Sequence, residues 1–333
     1  MGNFKVRLQA FFLVFISWTA HAQIPVGHQA VLSRLTAGSV LPERLLSTRS
    51  VVFFPHTMTM KELELIQQYF QRTGIDAVLY IESDYLAAGR DPSVALAEYL
   101  NSREIRHIII FRKADGYDVF ITAYNNLATL VEGGQNAWYR KDRTLEPLLQ
   151  SLFRTANNSS MERANMLINE FPEVGMPLNV FKGRRGDFFA IDLKVDPLAV
   201  PKFGDADMDA QLAEIMKNYP YKYKLTEPAL SEAQIRKDGS YYVLRFIYAR
   251  DEAAYNLLGY DGTKSQSAIV SVTYPGDKPH LKNIPSDTMV YKFYFKHIDS
   301  GNIFLGTKWD ADVTWQQALI NQIKAFKAEL KIN

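Results

Sequence analysis

From Ser50 onward, runs with strand character alternate with runs whose apolar residues recur at helical spacing. Ser50-Val51-Val52-Phe53-Phe54, closed by Pro55, reads as a short strand buried on both faces. Thr59 and Glu62 have the three-residue spacing of a capping box, in which each side chain satisfies a backbone N–H at the helix start. Leu63, Ile66 and Phe70 then share one helical face, and Gly74 stands where a left-handed residue would end the helix. Ala77 to Ile81 is a second strand. Asp91-Pro92 reads as an N-cap followed by the first helical residue, with Val94, Ala97 and Leu100 inward. His107 to Phe111 is a third strand, and Asp115-Gly116 turns the chain into a hairpin partner, Tyr117 to Tyr124. A helix after Thr144 carries Leu148, Leu149 and Leu152.

Periodicity lapses at Thr155-Ala156-Asn157-Asn158-Ser159, which marks a boundary. Ser159 and Glu162 form another capping box, and Met161, Ala164, Ile168 and Phe171 predict the helix it opens. Strands are expected at 188–195, 221–225, 241–249, 268–274, 290–298 and 302–306. Helices are expected from Asp207, between Ser231 and Gly239, and after Thr314, the last striped by Trp315, Leu319, Ile323, Phe326 and Leu330. The fold class that follows is α/β with α+β. A small βαβαββα domain over 50–156 precedes an antiparallel-rich α+β domain over 159–333, with helices packed on its sheet; residues 23–49 form an irregular lead-in. In element order the first half resembles the small extracytoplasmic α/β domains of the TPM type. The second is similar to the N-terminal domain of TolB and related periplasmic units. That resemblance implies envelope-assembly or binding roles.

The first residues follow another pattern. Lys5 and Arg7 precede an apolar stretch from Leu8 to Trp18, and Ala20-His21-Ala22 supplies small residues at a cleavage site. Residues 1–22 therefore read as a secretory signal, cut after Ala22, and the protein as periplasmic or secreted. The stretch is shorter than the roughly 20 residues a spanning helix needs. Cysteine is absent, which excludes a disulfide, a thiolate metal site, a cysteine nucleophile and a lipidated mature end. The chain has 38 basic and 36 acidic residues; two basic residues and no acid precede Gln23, so 36 of each follow. No basic field remains to favour nucleic acid.

Candidate chemistry is sparse. Ligands of open α/β sheets collect at the carboxyl ends of the strands. There the sequence offers His56 after the first strand, Glu82 and Asp84 after the second, and Arg112 after the third. Such a set could serve a phosphate-directed hydrolase, although strand-end loops are polar in any case. Asp205, Asp207 and Asp209 begin like a calcium loop but lack its glycine and distal glutamate, so helix capping explains them better. Arg185-Gly186-Asp187 reads as a turn between glycines. Pro275 to Thr288 is a long connection carrying Lys278, His280 and Lys282, and long loops are often functional. Tyr291, Phe293, Phe295 and His297 alternate with Lys292, Tyr294 and Lys296. The aromatic face is expected in the core, which leaves Tyr294 on the other face, and Trp309 lies outside the last helical stripe as a candidate exposed anchor. The expectation is an exported, non-catalytic protein that binds an envelope protein or cell-wall component through Lys278, His280, Lys282, Tyr294 and Trp309, without cofactor or metal. The alternative is an extracytoplasmic hydrolase at the first-domain rim.

Overall fold

The computed structural model describes residues 27–175, 178–260 and 267–332. The leading apolar segment and its cleavage site lie outside them. The first sheet holds β1 (Leu35–Gly38), β2 (Arg49–Phe54), β3 (Asp76–Glu82), β4 (Ile105–Ala114), β5 (Gly116–Ala123), β6 (Gln135–Asp142) and β7 (Glu173–Val174). Their spatial order is β1-β6-β5-β4-β2-β3-β7, with β2 paired in parallel to both β3 and β4. The helices of this half are α1 (His28–Leu32), α2 (Met60–Thr73), α3 (Arg90–Ser102) and α4 (Leu145–Asn157). Successive strand residues face opposite ways. Val52 packs with Phe70 of α2 and Leu149 of α4, while Val51 and Phe53 pack with Leu96 and Leu100 of α3. A strand covered on both faces reads as an unbroken apolar run, and β2 and β4 do so.

The second half builds a six-stranded mixed sheet in the order β10-β9-β11-β14-β15-β8. Its strands are β8 (Arg185–Gly186), β9 (Leu198–Pro201), β10 (Tyr223–Thr226), β11 (Tyr242–Arg250), β14 (Met289–His297) and β15 (Ile303–Phe304). The long ladder is antiparallel, β11 against β14 from Tyr242↔His297 to Arg250↔Met289. A separate hairpin pairs β12 (Ala268–Thr273) with β13 (His280–Pro285). The helices are α5 (Ala206–Met216), α6 (Glu232–Lys237), α7 (Asp251–Leu257) and α8 (Trp315–Glu329). Phe293 and Phe295 meet Leu212 of α5 and Phe326 of α8, whereas Tyr294 and Ile247 share the opposite face with α7 and Trp309. The mixed α/β plus α+β class holds.

Several local expectations fail for identifiable reasons. No helix follows Ser159. Ala164 and Asn165 instead donate their N–H groups to Leu46 O, Asn165 Nδ2 donates to Gly74 O, and Asn169 N donates to the Asp76 carboxylate. These long-range partners replace the helical ladder and lead the chain into β7. The 188–195 stretch is a short 3₁₀ turn (Ile191–Lys194) rather than a strand. The lead-in is not irregular, since it holds α1 and β1, and the Pro275–Thr288 connection contains β13. Polar β6 gave no sequence signal. Val94 is 42% exposed; Leu96, Ala97 and Leu100 form the inward face of α3.

Asp91 is not an N-cap. Gly89 takes that place with φ 137°, and Asp91 lies buried within the first turn. The approach to α3 is also where the two halves meet: Tyr248 N of β11 donates to Ala88 O at 2.8 Å. A Cβ on Gly89 would stand 2.4 Å from Phe246 O, against backbone that has little freedom to move. Gly89→Ala is therefore expected to destabilise the protein by about 2 kcal/mol or more through combined strain and clash. The control is Gly133→Ala, where nothing lies within 4 Å and the change should stay within about 0.5 kcal/mol. Equal denaturation midpoints for the two variants would contradict the close approach.

Candidate functional site

The carboxyl ends of β2, β3 and β4 open into a cavity of about 460 Å³. His56, Asp84 and Arg112 all line it, joined by His28 from α1, Lys141 from β6, and Arg250 and Asp287 from the second half. Three of the four rim residues read from the sequence are thus brought together. Glu82, the fourth, is drawn into a clamp beside the cavity.

That clamp centres on Arg250, at the end of β11. Its Nε donates to Asp84 Oδ2 at 2.5 Å and its Nη2 to Glu82 Oε2 at 2.6 Å, while Nη1 stands 3.4 Å from Glu252. Burial works against the charge on Arg250, but Asp84 and then Glu82 outweigh it, so its pKa is raised. Arg112 forms a bidentate pair with Asp118 across the β4–β5 ladder, at 2.8 and 2.5 Å. Lys113 donates to Glu62 at 2.8 Å, and Tyr117 OH donates to the same carboxylate. Glu62 also completes the expected capping box with Thr59. Burial favours its neutral form, yet the bonds from Lys113, Thr59 and Tyr117 prevail and hold its pKa at about 2.

The rim cations and carboxylates therefore largely neutralise one another. His56 is exposed at the mouth, and no hydrogen bond to its ring is present among the described residues. His28 is held below the usual imidazole range, first by burial and then by the Arg112 charge, with Asp84 opposing.

The second-half candidates are distributed differently. Lys278 and His280 are exposed at the hairpin turn, but Lys282 is paired with Asp312 at 2.9 Å. Tyr294 is fully buried and donates its hydroxyl to Asp91 Oδ2 at 2.7 Å. Trp309, 7% exposed, packs against Tyr255 and Tyr260 and donates Nε1 to Asp251 Oδ1 at 3.0 Å. Neither aromatic is an exposed anchor, because the face of β14 that alternation left open is covered by α7 and by the start of α3. Asp205 caps α5 by accepting from Met208 N, and Asp209 accepts from Phe203 N. Among the described residues no group of three His, Asp or Glu is placed to hold a metal ion. Arg185 is engaged with Gly259 O and Asp187 and lies over the Tyr260 ring.

Sequence reading missed Arg250, Asp91 and Asp251. Arg250 and Asp251 do carry a trace, as a charged pair ending an apolar strand. Asp251 is fully buried, and among the described residues its Oδ2 has no hydrogen-bond partner. Burial raises its carboxyl pKa to about 7 against the opposing bond from Trp309. The folded protein then keeps a proton that the unfolded chain has lost from about pH 4 upward. The corresponding stability is present at acid pH and is lost as pH rises towards 7. Asp251→Asn should remove this slope from urea midpoints measured between about pH 5 and pH 8; an unchanged slope would place the titration elsewhere.

No family model, no curated protein and no solved structure matches this chain. The resemblance in element order to TPM-type and TolB-type domains therefore has no support from these comparisons. Among the described residues no helix is long and apolar enough to cross a membrane.

Proposed function

We propose that the protein is exported and acts without catalysis, seating an envelope protein or cell-wall component at the strand-end cavity. One observation carries the reading: the buried or half-buried carboxylates at and beside the cavity, Asp84, Asp118, Glu82 and Glu62, each accept from a cation, and the two other acids that line it, Asp115 and Asp287, are solvent-exposed. A carboxylate held by a cation is a weak proton acceptor. The phosphate-directed hydrolase draws less support for the same reason, and His56 lacks the oriented partner that a catalytic imidazole uses. A cavity of about 460 Å³ is in the size range of binding sites for small molecules or for one protruding group of a larger partner. Lys141, His56, Asp115 and Asp287, exposed and outside any ion pair among the described residues, are the groups left to meet that partner.

Photo-crosslinking in intact cells from position 56, compared with position 61 on the exposed side of α2, tests the reading. A discrete adduct from position 56 alone, lost when Lys141 is replaced by alanine, is the expected result. Equal labelling from both positions, or phosphatase activity that disappears in His56→Ala, would count against it. Export is checked separately by N-terminal sequencing, with Gln23 expected first.

A further inference from the structure

A second, smaller cavity of about 190 Å³ lies where Gly89 and Arg90 meet the outer edge of β11. Its apolar walls include Phe203, Phe246, Phe293 and Leu212; its charged residues are Arg90, Lys202 and Arg245, and no acid lines it. Lys202 is neutralised by Glu227 at 2.6 Å. The two arginines belong to a cluster in which, among the described residues, Arg90, Arg245 and Lys296 share two carboxylates, Asp91 and Glu232. One positive charge is left over. Arg245, 4% exposed, stands opposite Tyr294 on the sheet face away from Phe246 and Phe293, and among the described residues its Nε, 3.9 Å from Asp91, has no hydrogen-bond partner. Burial and then the Arg245 charge lower the Arg90 pKa, against Glu232 and Asp91, which is the strain an added anion would relieve.

The backbone supplies a further donor. Along an antiparallel strand, N–H groups two residues apart point off the same edge. Tyr248 N–H leaves β11 on the side away from β14 to reach Ala88 O, so Phe246 N–H points off that side as well, where this cavity lies. Size narrows the ligand. An apolar cavity of about 150 Å³ takes benzene, so 190 Å³ leaves room for one small substituent.

We propose that this cavity binds a small aromatic carboxylate, with its ring among Phe203, Phe246 and Phe293 and its carboxylate turned to Arg90 and Phe246 N–H. The site is separate from the strand-end cavity and stands or falls independently of it.

Benzoate is the probe, and benzamide is its uncharged counterpart of the same shape. Titration of the labelled full chain by NMR should give saturable shifts of the Phe246 amide with benzoate, and at least tenfold weaker binding of benzamide. Arg90→Gln, at an exposed position, should weaken benzoate at least fivefold while the amide spectrum elsewhere keeps its folded pattern. Arg245→Met is the second variant and should act in the same direction wherever it folds. Absence of saturable binding by benzoate, equal binding of the two probes, or undiminished binding to Arg90→Gln would each overturn the assignment.

Discussion

Arg250→Met should be among the most damaging single substitutions in the protein, costing about 3–5 kcal/mol in urea denaturation. Asp84 is buried to 9% exposure and receives its short bond from the Arg250 guanidinium. Removing the cation leaves a largely buried carboxylate without its ion-pair partner, and Glu82 loses the same donor. Replacing both ends, Arg250→Met with Asp84→Leu, should recover most of the loss, because a buried pair exchanged for apolar side chains is often neutral. If both variants unfold at the same denaturant concentration, the cost lies in the volume of the arginine rather than in the stranded charge.

The second large effect is expected at Lys292, which is fully buried in the middle of β14. Its Nζ donates to Leu305 O at 3.0 Å and to Gln322 Oε1 at 2.7 Å. Asp310 Oδ1 lies 2.5 Å from it, in charge contact but without hydrogen-bond geometry. Burial pushes the lysine pKa down and the aspartate pKa up, each against the pull of the other. Asp310→Ala strands an ammonium in the core and should cost about 3–5 kcal/mol; Lys292→Met with Asp310→Leu should cost much less. Thermal melts of the single and double variants check this, and additive losses would show that the two charges are not coupled.

Lys292 also shows where the sequence misleads. Its alternation with Tyr294 and Lys296 is that of a solvated strand face, yet Tyr294 is fully buried and Lys296 is largely buried. The partners that cover them, Asp91 and Glu232, are far away in the chain, and nothing local announces them. Features set by near neighbours were legible. The capping box at Thr59 forms with both bonds, and Gly74 ends α2 in the left-handed conformation. The rim was legible in part, because strand ends can be read from apolar runs. Its charge balance was not, since Arg250 comes from a different sheet. The failed helix after Ser159 has the same origin: local pattern favoured it, and acceptors more than 100 residues away in sequence, such as Leu46 O, took its N–H groups.

The hydrogen bond from Tyr248 to Ala88 has a bearing on how the chain can be divided. β9 pairs with β11 only at Tyr242 and Val243, so the rest of that flank is sheltered by the strip before α3. A fragment beginning after residue 158 would bare those backbone donors and acceptors, and uncovered strand margins recruit other chains. Such a fragment should accumulate as aggregates, whereas co-expression with residues 23–158 should return it to solution as a one-to-one complex.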